Sequence, residues 1–106
     1  MSKILNIYEN DLDRCWVDSS NIVYMECDDK TNELKVVRIT FKNGSTYEYY
    51  DVKVQDYLMM REASSNGKAF FKYMKKYEYK RLEDKDVTKL NEELKLIIQE
   101  RENKLE

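Results

Sequence analysis

The sequence predicts an α+β domain: a three-stranded antiparallel β-meander packed by two helices, with a further helix at the C-terminus. Three observations lead there. Large side chains alternate along two stretches, "NIVYMEC" from Asn21 and "LKVVRITF" from Leu34, the period of half-buried strands. Asn43-Gly44 then offers two positions that tolerate positive φ, as a tight hairpin requires. After Val52 the apolar period changes from two residues to a helical spacing.

Each element follows from its residues. Residues 1–18 read as a loosely ordered lead-in, with Ile4, Leu5, Ile7, Tyr8 and Trp16 available to pack. "DDKTNE" from Asp28 ends the first strand, since Asp, Asn and Thr favour turns. In the second strand Val37, Ile39 and Phe41 share one parity, bracketed by Lys35 and Arg38. The returning strand "STYEYYDV" places Tyr47 and Tyr49 on one face and Glu48 and Tyr50 on the other. Short connections make the three strands a meander. "VQDYLMMREA" sets Val54, Tyr57 and Leu58 on one helical face. "SSNG" interrupts it, and "KAFFKYMKKYEY" forms a second helix with Phe70, Met74 and Tyr77 on one side and Lys68, Lys72, Lys75 and Lys76 opposite. From Asp84 a third helix carries Val87, Leu90, Leu94 and Ile97 at heptad-like spacing. That seam can cover its own domain or a second chain.

Composition limits the function. The 106 residues fit one domain, and a core of about 60 residues is marginal alone. Self-association through the C-terminal helix is therefore expected. The net charge of -2 opposes broad binding of long nucleic acid. Its distribution is uneven: residues 61–81 hold seven basic groups and two acidic ones. There is no histidine, and Cys15 and Cys27 form no CxxC pair, so neither a zinc site nor a catalytic metal is expected. No cofactor is expected either. Acid–base chemistry would fall to carboxylates, lysine, cysteine or tyrosine, and none has an evident activating neighbour. The chain reads as a non-enzyme. The N-terminus lacks the apolar core of a signal peptide, and no apolar run reaches membrane length, so a cytoplasmic protein is expected. Abundant Lys, Glu, Asp, Asn and Tyr without proline point to an AT-rich bacterial or phage genome.

Two stretches carry candidate binding chemistry. Ser64, Ser65 or Asn66 can cap the second helix, Gly67 permits close approach of a ligand, and Lys68 stands beside the free N–H groups of the first turn. Lys72 and Lys75 continue that face. Ser19, Ser20 and Asn21 can add hydroxyl and amide contacts if the chain folds them nearby. Tyr47 and Tyr49 can stack bases, but strand aromatics are more often core, and that reading is preferred. Tyr50 is the better candidate for an exposed contact.

Taken in order, "SSNI" at Ser19–Ile22, the strand ending at Phe41, Asn43-Gly44, Tyr47-x-Tyr49, Val52, Tyr57, Ala63-Ser64-Ser65-x-Gly67-Lys68, Phe70-Phe71 and "YEYKR" at Tyr77–Arg81 resemble the KTSC domain. This module is named for the C-terminus of some lysyl-tRNA synthetases, and it also exists as stand-alone bacterial and phage proteins. The resemblance divides the chain into a lead-in (1–18), a KTSC-like α+β domain (19–82) and a C-terminal helix (83–106). Where the family often has Val-Pro and Phe-Asn, this chain has Val52-Lys53 and Phe71-Lys72. The resemblance implies RNA as one ligand class. Overall acidity favours a compact nucleotide instead, and a stand-alone phage protein of this kind would act as a sponge for a nucleotide immune signal. The competing reading is a protein–protein interaction module that inhibits a host protein.

Overall fold

One antiparallel sheet of six strands, laid side by side in chain order, forms the centre of the molecule. The structure is a computed structural model that describes residues 3–28 and 34–104. Its elements are β1 (Lys3–Glu9), β2 (Leu12–Val17), β3 (Ile22–Asp28), β4 (Leu34–Phe41), β5 (Thr46–Lys53), α1 (Val54–Glu62), α2 (Asn66–Ala69), β6 (Tyr79–Leu82) and α3 (Val87–Lys104). A π-helical turn, Phe70–Met74, continues α2. Among the described residues, no helix is long and apolar enough to cross a membrane.

The three expected strands are β3, β4 and β5, and three further strands flank them. Residues 3–17 are a hairpin rather than a loose lead-in. Asn10 and Asp11 both take positive φ, 54° and 62°, which is the geometry of a two-residue primed turn. Its second strand pairs with β3 through Cys15↔Met25 and Trp16↔Tyr24. At the other edge, the expected second helix stops at Met74, and Tyr79–Leu82 pairs with β5 as β6. The turn expected at residues 29–33 lies outside the described residues.

Both sheet faces are covered. On one, α1 and α2 enclose Cys15, Val17, Met25, Val37, Ile39, Tyr49 and Val52. Tyr57 and Met60 are the residues that α1 buries, while Val54 and Leu58 are 42% and 40% exposed. The inward stripe of α1 is thus turned from the one expected, with Met60 in the place given to Leu58. A bulge in β5 lets Tyr49 and Val52 both face this core: Val37 opposes Tyr49, Lys35 opposes Val52, and Asp51 takes φ 54°. On the other face, Leu90 and Leu94 of α3 close over Leu5, Trp16 and Tyr24. The heptad-like seam therefore covers the chain's own sheet.

The β4–β5 connection departs from a two-residue turn. Gly44 alone in that turn takes positive φ (92°), and its N–H donates to the Phe41 carbonyl. The Lys85 N–H donates to the Gly44 carbonyl at 2.9 Å, and a Cβ on Gly44 would lie 2.8 Å from the Lys85 carbonyl oxygen. The glycine thus serves both the turn and the approach of the segment leading into α3.

On the α3 side a row of charge crosses the sheet. Arg14, Glu26, Arg38, Glu48 and Lys80 oppose one another strand by strand. Arg38 bridges Glu26 at 2.7 Å and Glu48 at 3.0 Å. Burial alone would raise the Glu26 pKa, but the Tyr24 hydroxyl and Arg38 outweigh it and hold it below the ordinary 4.5. The Tyr50 hydroxyl, with Arg38, does the same for Glu48. Depressed carboxylates stabilise the fold above their unfolded-state pKa and lose that contribution as pH falls through the folded value. The melting temperature should therefore hold from pH 7 to about 5 and fall below about 4.5. An Arg38→Gln protein should show a shallower acid loss. Parallel acid curves for the two proteins would remove this row from the account.

Candidate functional site

A cavity of about 480 Å³ opens between the start of β3, the β4–β5 turn and α2. Ser20 and Asn21 line one side, Lys42, Asn43 and Ser45 another, and Gly67, Phe70 and Phe71 the third, with Phe41 and Tyr47 completing it. The volume lies within the range of small-molecule sites.

Local hydrogen bonds fix this geometry. Ser19 Oγ accepts from the Asn21 N–H at 3.3 Å and the Ile22 N–H at 3.4 Å, which turns the chain into β3. The Lys42 N–H donates to the Asn21 carbonyl at 2.8 Å, tying that turn to the end of β4. Asn43 Oδ1 accepts from the Ser45 N–H at 2.9 Å. Ser65 Oγ caps α2 through the Lys68 N–H at 3.5 Å. The π turn closes through Lys75 N–H to the Phe70 carbonyl.

The walls are aromatic. Phe41 meets Phe70 edge-on at 5.5 Å and Tyr47 at 5.9 Å, and Phe70 meets Phe71 at 5.6 Å. Phe71 is 64% exposed, and Lys75 Nζ stands 5.0 Å from its ring centre. A second depression of about 270 Å³ adjoins the cavity, shares Phe41, Tyr47 and Phe70, and adds Tyr49, Lys75 and Tyr79.

The residues singled out from sequence separate into groups. Ser20, Asn21 and Gly67 come together: a Cβ on Gly67 would lie 3.3 Å from Asn21 Nδ2. Ser65, Lys68 and Lys72 line a different depression beside α1, with Ser64 and Glu62. Spacing explains the split. Gly67, Phe70 and Phe71 stand at i, i+3 and i+4 on one helical face, and Lys68 and Lys72 lie on the next. Asn66 is buried, and its Nδ2 donates to the Met60 carbonyl at 2.9 Å, so it ties α2 to α1. Tyr49 belongs to the core, in line with its structural reading, and burial pushes its hydroxyl pKa up. Tyr50 faces the charge row and donates to Glu48 at 2.6 Å, on the side of the sheet away from the cavity. Ser19 spends its hydroxyl on the backbone.

Lys42, Asn43, Ser45, Phe70 and Phe71 also line the cavity, and sequence reasoning did not assign them to a site. Tyr47, weighed there as a base-stacking residue with the core reading preferred, lines it too. The available signal was the pairing of a polar turn with two consecutive phenylalanines, of which a helix can bury only one fully. Lys42, Lys68, Lys72, Lys75 and Lys80 make no ion pair with a described residue, whereas Lys76 pairs with Asp56 and Arg81 with Asp84. Of the candidate nucleophiles, Cys15 is fully buried, and desolvation pushes its thiol up to about 12.

Residues 18–87, about two thirds of the chain, match the family model for the KTSC domain. That span contains every residue of the cavity and excludes the β1–β2 hairpin and nearly all of α3. No curated protein matches the chain.

Proposed function

The chain belongs to the KTSC domain family, and from that premise we propose that it is a non-enzymatic module that binds a small nucleotide in the cavity beside Gly67. One observation carries the reading: aromatic walls and uncommitted polar groups meet in a single cavity. Phe41, Tyr47, Phe70 and Phe71 supply rings against which a base can stack. The Ser20 hydroxyl and the Asn21 carboxamide line it and make no hydrogen bond to a described residue. Lys42 in the lining and Lys75 at Phe71 supply positive charge for a phosphate. The basic site considered at Ser65–Lys68 yields to this one, because its lysines share their depression with Glu62 and have no aromatic floor beyond Tyr73. A binder of this type acts by sequestering its ligand, and a phage or bacterial nucleotide signal fits that use.

Single-stranded RNA is the second reading. The adjoining depression, with Tyr79 61% exposed, could take a second base. Calorimetry with nucleoside monophosphates and a ten-nucleotide RNA separates the two. The nucleotide reading expects monophosphate binding that weakens only slightly between 50 and 200 mM salt, since about two charges are met. Phe71→Ala should weaken it without changing the melting temperature. Binding of the RNA alone, with a steep salt dependence, would transfer the function to RNA. Binding of neither would end the proposal.

A further inference from the structure

We infer that Asn21 reads the base and that the base is adenine; this rests on the nucleotide reading of the same cavity. The backbone of Asn21 is fixed on both sides, its N–H by Ser19 Oγ and its carbonyl by the Lys42 N–H. The carboxamide carries no such restraint. It lines the cavity and makes no hydrogen bond to a described residue. A carboxamide presents one donor and one acceptor along a single planar edge. Its partner must offer an acceptor beside a donor, as adenine does with N7 and N6. Guanine's N7 and O6 are two acceptors, of which one carboxamide can satisfy only one. Its other edge (O6, N1–H, N2–H2) offers the required pair but leaves the N2 amino group without a partner from that carboxamide. Cytosine (N3, N4–H2) and uracil (O4, N3–H) each have a complementary edge but a smaller ring to set against Phe41, Tyr47, Phe70 and Phe71.

Gly67 supports the assignment from an independent direction. It lies inside α2, where glycine is a poor helix former, and it does not take the positive φ that would require glycine. What its missing side chain provides is room. A Cβ would stand 3.3 Å from Asn21 Nδ2, tighter than ordinary contact, and the amide would have to move aside by a few tenths of an ångström. Asn21 is exposed on the surface side and can give way, so alanine at 67 should suit the helix while displacing the reading edge.

The test is calorimetry with AMP, GMP, CMP and UMP on the wild type, Asn21→Ala and Gly67→Ala, with a melting curve for each. The wild type should prefer AMP by about 5- to 100-fold, the discrimination expected of one bidentate amide–base pair. Asn21→Ala should bring AMP down to the level of the others, which should change by less than about twofold, at an unaltered melting temperature. Gly67→Ala should melt at the same or a higher temperature and still lose AMP affinity. Equal binding of all four nucleotides, a preference for another base, or an AMP preference that survives Asn21→Ala would overturn the assignment while leaving nucleotide binding in place. A wild type that binds none of the four would overturn both.

Discussion

Replacing Trp16 with alanine should cost about 3–5 kcal/mol of stability, the usual range for emptying a large buried aromatic site. Trp16 has no exposed surface and stands at the centre of the core between the sheet and α3. Its ring meets Tyr24 at 5.0 Å, and the Arg14 guanidinium lies 4.6 Å from its centre. Its indole N–H donates to the Leu90 carbonyl at 3.0 Å, so the same side chain fills the core and holds the helix. Among the described residues, Arg14 to Glu93 at 2.7 Å is the other side-chain bond between the sheet and α3. An isolated helix of 18 residues is marginal in water. The variant should therefore lose α3 as well as core volume, seen as a drop in helical circular dichroism and as fast amide exchange across Leu90–Ile97. Since Trp16 is the only tryptophan, the stability measurement must use circular dichroism in urea. Trp16→Phe should retain most of the packing and lose the bond to Leu90. A loss under about 1 kcal/mol in Trp16→Ala would mean that α3 docks by some other means.

The parts of this fold legible in the sequence are those whose local chemistry and tertiary use agree. β4 alternates cleanly because Val37 and Ile39 face the core under α1 and α2 while Arg38 lies in the charge row on the other face. β3 alternates between two covered faces, with Met25 and Cys27 in that core and Tyr24 under α3. The seam of α3 is readable for the same reason, although periodicity alone cannot say whether it covers its own sheet or another chain. The missed hairpin has a physical cause. Asn10-Asp11 makes a primed turn without glycine, using the tolerance of Asn and Asp for left-handed geometry, while the more obvious Asn43-Gly44 forms a longer turn with one left-handed residue. β6 was hidden because Tyr79–Leu82 follows an amphipathic run, and its strand form comes from pairing with β5, which no local preference reports. At the site, Asn21 was legible as a possible amide contact and Gly67 as a place of close ligand approach. Their contact joins segments 46 positions apart in the chain, and it follows only from how β3 and α2 pack. The aromatic walls were hidden by the same logic that rightly assigned Tyr49 to the core, since Tyr47 and Phe70 serve the core and the cavity together.

Asp13→Ala should be the second costly change, by about 3–5 kcal/mol, because it strands one buried partner, Tyr57, and one half-buried partner, Arg61. Asp13 is 7% exposed on β2, and it accepts from three directions. The Tyr57 hydroxyl and Arg61 Nη1, the latter at 3.0 Å, come from α1, and Asn6 Nδ2 at 3.0 Å comes from β1. Tyr57 and Arg61 are four residues apart and so share a helical face. The carboxylate thus rivets α1 to the hairpin that lies outside the family match. Burial would lower the Arg61 pKa, but Asp13 and Glu62 outweigh it and keep the guanidinium charged. Without Asp13 that charge keeps only Glu62 on the surface, and the Tyr57 hydroxyl has no acceptor in the core. Asp13→Asn should cost less, since the amide oxygen can still accept from Tyr57 although the charge is lost. Tyr57→Phe in the Asp13→Ala background should cost less than in the wild type, because removing both partners leaves fewer polar groups unsatisfied. Urea denaturation of the four proteins of this cycle measures the coupling. Strict additivity, or an Asp13→Ala loss near the size of an ordinary surface change, would show that the hairpin is held by its strand pairing with β3 and not by this carboxylate.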